Sequence, residues 1–240
     1  VTPLPWLRIR GNAGRAFRVP TFDELYLPDK GYIRGNPTLA PEDAVNLDAG
    51  FELQLAQLGP LSQLTLAASY FWRSIDDSIV WILINPSTVA PINTGSATSQ
   101  GVELSLAFRL SDYLHFSLHH TELDSRRDAT DLPLPGQPER ETFGRVQIGP
   151  DQVWKLVGEA QYTGEILVSE GSGRRLPSRT VWNASASLNL AAIPQLGLES
   201  HLAELWLFFE MNNVGDIAVR DTLAFPQPGR NASAGFEVRW

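Results

Sequence analysis

The sequence predicts an all-β fold, an antiparallel transmembrane β-barrel meander of about ten strands. Three observations carry that expectation. Period-two alternation of apolar and polar residues recurs along the chain and runs to its last residue. There Ala232, Ala234, Phe236, Val238 and Trp240 would share one face of a strand, and Asn231, Ser233, Gly235, Glu237 and Arg239 the other. An aromatic terminal strand suits a barrel in a bilayer, where its apolar face meets lipid, better than a soluble sheet edge, which recruits other chains. Finally, short turns alternate with long loops, as in outer-membrane barrels.

Taken in order, the first segment is 6–14, with Leu7 and Ile9 opposite Arg8 and Arg10. In the second, Val45, Leu47, Ala49, Phe51, Leu53 and Leu55 oppose Asn46, Asp48, Glu52 and Gln54. Leu64, Leu66, Ala68, Tyr70 and Trp72 then oppose Thr65, Ser69 and Arg73. Val102, Leu104, Leu106 and Phe108 face away from Glu103, Ser105 and Arg109, and Leu114, Phe116 and Leu118 from His115, Ser117 and His119. The segment 141–148 is weaker. Trp154, Leu156, Ala160 and Tyr162 oppose Lys155, Glu159 and Gln161, and Trp182, Ala184, Ala186, Leu188 and Leu190 oppose Asn183, Ser185, Ser187 and Asn189. Leu205, Leu207, Phe209 and Met211 against Trp206, Phe208, Glu210 and Asn212 is less clean, and 232–240 closes the series. No long stretch shows a 3.6-residue period.

Short connectors fall at Gly59-Pro60, Ser111-Asp112 and Gly149-Pro150-Asp151; long ones span 19–43, 74–93, 124–138, 165–179 and 215–230. With the short turns on the periplasmic side, the first strand runs outward and the tenth inward. The stretch 191–204 breaks the rule and is expected to be an elongated periplasmic turn. Within the chain no domain boundary is visible.

Composition narrows the function. The chain has 240 residues, no cysteine and a formal net charge of −8, so neither thiolate chemistry nor a general nucleic-acid footprint is expected. No run approaches the roughly 18 apolar residues of a membrane helix, although strands of about 10 residues can still cross. Beginning at Val1 in strand-like sequence without a signal peptide, the chain reads as a piece of something longer.

Five short motifs then occur in order. Residues 14–26 read Gly-Arg-Ala-Phe-Arg-Val-Pro-Thr-Phe-Asp-Glu-Leu-Tyr, and 35–42 read Gly-Asn-Pro-Thr-Leu-Ala-Pro-Glu. Tyr70-Phe71-Trp72-Arg73 leads to Ile75-Asp76-Asp77-Ser78-Ile79, and Asn93-Thr94-Gly95 leads to Gly101-Val102-Glu103-Leu104. Asn212-Asn213-Val214-Gly215-Asp216 is followed by Pro228-Gly229-Arg230 and the terminal aromatic. Together, from about Leu4 to Trp240, they resemble the barrel of TonB-dependent outer-membrane receptors, most of all the cobalamin and siderophore receptor branch. The resemblance implies a partial barrel, residues 1–240 being the C-terminal portion of a type with roughly 22 strands and a plugged lumen. The plug, the TonB-engaging segment and the first half of the barrel are absent from these residues.

What the resemblance implies is binding and gating, with no enzymatic step. The setting is the bacterial outer membrane, the ligand a scarce small molecule of the siderophore or cobalamin class, and TonB acts through the plug. Partners are outer-membrane lipid, the missing barrel half and plug, and the barrel-assembly machinery, which would read Phe236 and Trp240. Arg18, Pro20, Glu24, Asn36, Pro37, Pro41 and Glu42 carry the family motif. Arg18, Pro20, Glu24 and Tyr26 either shape the lumen wall or ligand vestibule, or else Pro20 ends a strand while Arg18 and Glu24 pair to order the next loop. Phe22, Tyr26, Tyr32 and Trp81 lie in or beside long loops, and read equally as ligand contacts and as an interfacial aromatic girdle. Glu103, Arg109, Lys155, Glu159, Glu237 and Arg239 are expected to face the lumen.

No metal site or cofactor is expected. His115 and His119 would share a face but lie roughly 13 Å apart along a strand, with His120 on the other face. Asp76, Asp77, Asp124, Asp128 and Asp131 lack calcium-loop spacing and read as solvated loop carboxylates. Neither a nucleophile-elbow motif nor a phosphate-binding glycine loop is present. A passive porin or other structural barrel without TonB coupling would show the same alternation but not the ordered motifs. A soluble β-sandwich leaves the terminal aromatic unexplained.

Overall fold

A computed structural model describes residues 1–169, 173–197, 203–222 and 225–239. Ten long strands form one antiparallel sheet in which each pairs with its neighbours in chain order. They are β1 (Leu7–Arg18), β2 (Glu42–Leu55), β3 (Leu61–Asp76), β4 (Ala97–Leu110), β5 (Leu114–Arg127), β6 (Arg140–Ile148), β7 (Trp154–Thr163), β8 (Arg179–Asn189), β9 (Glu204–Asn212) and β10 (Asn231–Arg239). The two-residue strand Leu132–Pro133 lies alongside β5. β1 and β10 are the edges, and no pairing joins them among the described residues, so the meander is an open sector of a barrel.

The register keeps each apolar set on one face. One row across the sheet runs Leu7, Leu53, Leu66, Leu106, Leu118, Gly144, Ala160 and Trp182. It starts near the inner end of β1 and finishes near the outer end of β8. That stagger is what tilted strands in a barrel wall require. A row on the opposite face runs Arg10, Gly50, Ser69, Glu103, Thr121, Glu141, Thr163 and Arg179.

The sheet is a single layer. Leu47, Leu66 and Leu104 are exposed in mid-strand, Leu104 by 44%. Buried side chains gather instead at the ends of the wall. Leu39, Ile79, Ala90 and Pro91 form one outer cluster, Ile166, Leu167 and Leu176 another, and Asn189 and Ala191 sit at an inner turn. An apolar face this large left open in water would cost heavily, at about 25 cal/mol per Å²; lipid supplies the missing cover.

Several strands outrun the alternation that announced them. β1 continues to Arg18, β2 starts at Glu42, and β3 runs to Asp76. At these outer ends the apolar face turns charged: Arg15 pairs with Asp43 at 2.6 Å, and Arg140 with Glu122 at 3.1 Å. Beyond the hydrocarbon, ladder hydrogen bonds alone continue a strand, so no apolar pattern marks those residues.

The long loops hold more order than expected. Hairpins pair Ile79–Asn85 with Thr88–Asn93, Ile166–Ser169 with Arg174–Leu176, and Arg220–Thr222 with Phe225–Pro226. A one-turn helix, α1 (Phe22–Tyr26), lies in the first loop. The connector after β8 contains two 3-10 turns, Leu190–Ala192 and Pro194–Leu196; its residues 198–202 lie outside the described residues, as does Trp240.

Candidate functional site

The outer cap is built from the end of β1 upward. Pro20 stops the strand, since it cannot donate to a ladder. Thr21 then caps α1: its hydroxyl accepts the Glu24 N–H at 3.2 Å, and the Glu24 carboxylate accepts the Thr21 N–H at 2.7 Å. This is a capping box, satisfying two otherwise orphaned donors. Arg18 reaches from β1 to two carboxylates. Its guanidinium lies 3.0 Å from Glu24 and 2.6 Å from Glu42 on the neighbouring strand. Glu42 also accepts the Ile79 N–H at 2.7 Å, which fixes the start of the hairpin 79–93.

The loop 27–41 closes onto that hairpin. Asn36 donates to the Pro91 carbonyl at 3.0 Å and accepts the Thr38 N–H at 3.1 Å across Pro37. Asn93 clasps Ala40, just before Pro41, from both sides, accepting its N–H at 2.9 Å and donating to its carbonyl at 3.0 Å. Val89 donates to the Tyr32 carbonyl at 2.9 Å. Pro91 is fully buried at the centre. Burial opposes the charged form of Glu24, but the hydrogen bonds from Thr21 and Arg18 outweigh it and hold the carboxyl below the usual range.

On this scaffold the aromatics stay outside. Phe22 is 75% exposed and Tyr26 56%, with ring centroids 5.1 Å apart. Tyr32 is exposed, and Trp81 stands on the hairpin opposite Pro91. Among the described residues no ring contact joins Tyr32 or Trp81 to the Phe22–Tyr26 pair. The cap thus brings Arg18, Glu24 and Glu42 into direct contact, places Asn36, Pro37 and Pro41 at its seam, and leaves the four aromatics as separate surface elements.

The register sets Glu103, Arg109, Lys155, Glu159, Glu237 and Arg239 on one face of the wall. Glu159 pairs with Arg145 at 2.7 Å, Glu103 accepts from Ser69 at 3.2 Å, and Arg109 lies 3.7 Å from Asp151. Lys155 stands 4.9 Å above the Trp206 ring, and Arg239 contacts Glu237 at 2.7 Å and Glu204 at 3.1 Å. Around Lys155, Trp206, Glu237 and Arg239 is a hollow of about 540 Å³ at the inner end of this face. Phe236 lies on the opposite, apolar face across from Leu207, 72% exposed.

His119 contacts Ser105 at 3.0 Å and His120 contacts Thr142 at 2.8 Å from the apolar face, while His115 lies 3.8 Å from Asp151. Among the described residues no cluster of three His, Asp or Glu side chains converges to hold a metal. Arg126 takes up Asp124 at 2.6 Å and Asp131 at 3.4 Å.

Sequence reasoning missed the roles of Thr21 and Asn93. Thr21-Phe22-Asp23-Glu24 carries the T-x-x-E spacing of a capping box, a readable signal. Asn93 opens one of the five motifs, but nothing in sequence announces its partner, because Ala40 is remote. Gly101 is explained by close approach: a Cβ there would sit 2.3 Å from the Glu122 carbonyl oxygen and 2.7 Å from the Phe71 ring.

A two-faced, single-layer, tilted meander with short turns at one end and packed loops at the other defines a section of transmembrane β-barrel wall. The chain belongs to the TonB-dependent receptor-like β-barrel family, whose model matches residues 1–214. It is 29% identical over 185 residues to the vitamin B12 transporter BtuB of Photobacterium profundum, covering 75% of this chain and 28% of that protein. The BtuB of Vibrio vulnificus is 25% identical over 198 residues, covering 82% of this chain and 30% of that one. The fold superposes on a ferric enterobactin receptor, PfeA, of Pseudomonas aeruginosa with a TM-score of 0.73 at 16% identity, over 98% of this chain and 38% of that one. The copper transporter OprC gives a TM-score of 0.76 at 16% identity, over 97% of this chain and 36% of that one. The chain therefore spans less than a third of the length of the BtuB relatives. The family is one of receptors and transporters for small ligands.

Proposed function

We propose that these residues form the C-terminal portion of the barrel of an outer-membrane receptor that imports a scarce small ligand, of the corrinoid or siderophore class, with TonB acting through a plug domain. The observation that carries this reading is the opposition of the two faces. On β4 the apolar face runs unbroken from Leu110 to Val102 and turns polar at Gln100. That is about 27 Å of strand at ~3.4 Å per residue, or about 20 Å of depth at ~40° tilt, near the ≈25 Å apolar band of outer-membrane barrels. The charged face, bearing Glu103, Arg109, Lys155, Glu159, Glu237 and Arg239, lines the lumen and meets the plug.

In this reading the outer cap presents the ligand surface. Phe22 and Tyr26 offer apolar area with one hydroxyl, suited to a macrocycle or aromatic chelate, and Tyr32 and Trp81 extend it. The hydrogen-bonded cap beneath limits the ordering cost of binding. The BtuB relatives favour a corrinoid as first candidate.

The test is uptake by the full-length receptor of labelled cyanocobalamin and of ferric siderophores, with and without TonB. Energised accumulation of one ligand, weakened about tenfold in affinity when Phe22 and Tyr26 are both changed to Ala, is the expected result. Passive permeation independent of TonB would instead assign a porin.

A further inference from the structure

We propose that the outer end of the lumen face holds a subsite for an uncharged arm of the ligand, one that bears carboxamide or hydroxyl groups. The site is a hollow of about 360 Å³ where four neighbouring strands end. Thr163 closes β7, Arg179 opens β8, Asn212 closes β9 and Asn231 opens β10, and all four line it. Register puts them on one face. Thr163 lies opposite Arg179, on the same side as the pairs Gln161–Val181 and Glu159–Asn183. Ser185 opposite Glu210 carries that face from β8 to β9, and Asn212 opposite Asn231 carries it to β10. It is the face of Glu159 and Glu237, read above as the lumen. Val219, Gln227 and Pro228 of the last outer loop complete the lining.

The motif Asn212-Asn213-Val214-Gly215-Asp216 builds this hollow. Asn213 is buried and donates its N–H to Asn183 Oδ1 at 3.0 Å. Its side chain clasps Ile217, accepting the N–H at 3.0 Å and donating to the carbonyl at 2.8 Å. Asp216 accepts the Arg230 N–H at 2.8 Å, and Gln227 donates its N–H to the Val219 carbonyl at 2.9 Å. A wall held in this way limits the ordering cost of binding. Its chemistry then selects the occupant. Gln161, Asn183, Asn212, Gln227 and Asn231 bring five carboxamides to the lining, and Arg179 is the one charged side chain among the described residues there. A carboxamide both donates and accepts. Five together suit neither a bare anion, which needs donors, nor a cation, which needs acceptors. They suit neutral groups that do both. Capacity is left over for such a group. Asn183 commits its oxygen to Asn213, and Asn212 its nitrogen to Asn231 at 3.3 Å. The Gln161 side chain has no hydrogen-bond partner among the described residues. The inner hollow of the same face, by Lys155, Glu237 and Arg239, is charged instead. The amide character therefore belongs to the outer end, where a ligand arrives.

The inference rests on the receptor reading above, and the experiment separates the two. Full-length receptor in detergent is titrated with cyanocobalamin, with analogues in which one peripheral carboxamide at a time is a methyl ester, and with an anionic ferric tris-catecholate. Uptake of the same ligands is measured in cells with and without TonB. Cyanocobalamin should bind, and at least one ester, which keeps the carbonyl and loses the donors, should bind about tenfold more weakly. That comparison needs no variant. Gln161→Leu with Asn212→Leu should weaken cyanocobalamin to a similar degree and abolish its advantage over that ester, as direct contact between the groups requires. Thr65→Val, a polar lumen position at the inner end of β3, should change neither. Equal binding of every ester, or an advantage that persists in the double variant, would overturn the proposal. So would a double variant with a lower melting temperature and unchanged affinity, since the hollow would then seat another part of the receptor. Accumulation of the ferric catecholate through TonB, without binding of cyanocobalamin, overturns the subsite and leaves the receptor reading standing. Cyanocobalamin that shows the expected coupling but crosses without TonB upholds the subsite and overturns energised import.

Discussion

At the residue scale, the outer cap hangs on Arg18. One side chain satisfies Glu24 in the helical turn and Glu42 on β2, and Glu42 in turn holds Ile79. Arg18 is partly exposed, so screening reduces what the ion pairs contribute. The larger effect of losing it is that Glu24, 8% exposed, keeps its burial but loses a charged donor. Arg18→Ala should therefore loosen residues 19–41 and 79–93 together, with amide exchange there about 10- to 100-fold faster and the strand cores unchanged. That corresponds to about 1–3 kcal/mol of local stability. pH acts on the same point. Because the folded-state pKa of Glu24 is depressed, its contribution is fully present above the ordinary carboxylate pKa of ~4.3 and is lost as pH falls through the lower folded value. The cap should hold at neutral pH and begin to open only below about pH 4, measurable as the same exchange pattern in acid. Opening that began near pH 6 would rule out Glu24 as the group responsible.

At the scale of the element, each strand is legible where the bilayer dictates its pattern and silent where it does not. Alternation on β3 announced Leu64 to Arg73, because every second residue there must suit lipid, yet the strand runs from Leu61 to Asp76. The extra turns of ladder lie beyond the apolar band. The paired segments Ile79–Asn85 with Thr88–Asn93 and Ile166–Ser169 with Arg174–Leu176 escaped notice for the same reason: they meet other loops, and remote contacts such as Asn36 to Pro91 and Gly136 to Leu167 leave no periodic trace. The family motif was readable as sequence, but its geometry was not, since Arg18 and Glu42 meet only through the β1–β2 register. Adjacent alanines test the two faces directly. Ala68 lies opposite Phe51 and Leu104, and Ala67 opposite Glu52 and Ser105. In full-length receptor refolded into bilayers, Ala68→Arg should cost about 2–4 kcal/mol, as a midplane charge facing lipid does. Ala67→Arg, facing water and Glu52, should stay within about 0.5 kcal/mol. The reverse order would invert the assignment of lumen and lipid.

On the scale of the whole molecule, two open edges decide what the chain can do alone. Closure ties strand number, tilt and shear together, and among the described residues β1 and β10 are each paired on one side only and not with each other. The edges expose unpaired N–H and C=O groups that neither lipid nor a second face can satisfy. In the receptor proposed above, completion would come from the rest of the barrel, and β10 would be the strand recognised and paired during assembly. Phe236 is suited to that role. It projects from the apolar face at the open edge, opposite Leu207, and supports nothing within the described residues that its removal would collapse. Trp240, outside the described residues, belongs to the same alternation in sequence. In full-length receptor, Phe236→Ala with Trp240→Ala should reduce the amount assembled in the outer membrane several-fold, while the assembled fraction binds ligand with unchanged affinity. The cap, at the other end of the strands, is too distant to register the change. Full assembly of the double variant would end the role proposed for these aromatics. Normal assembly with weakened affinity would mean that the inner end of β10 reports to the outer cap through the wall.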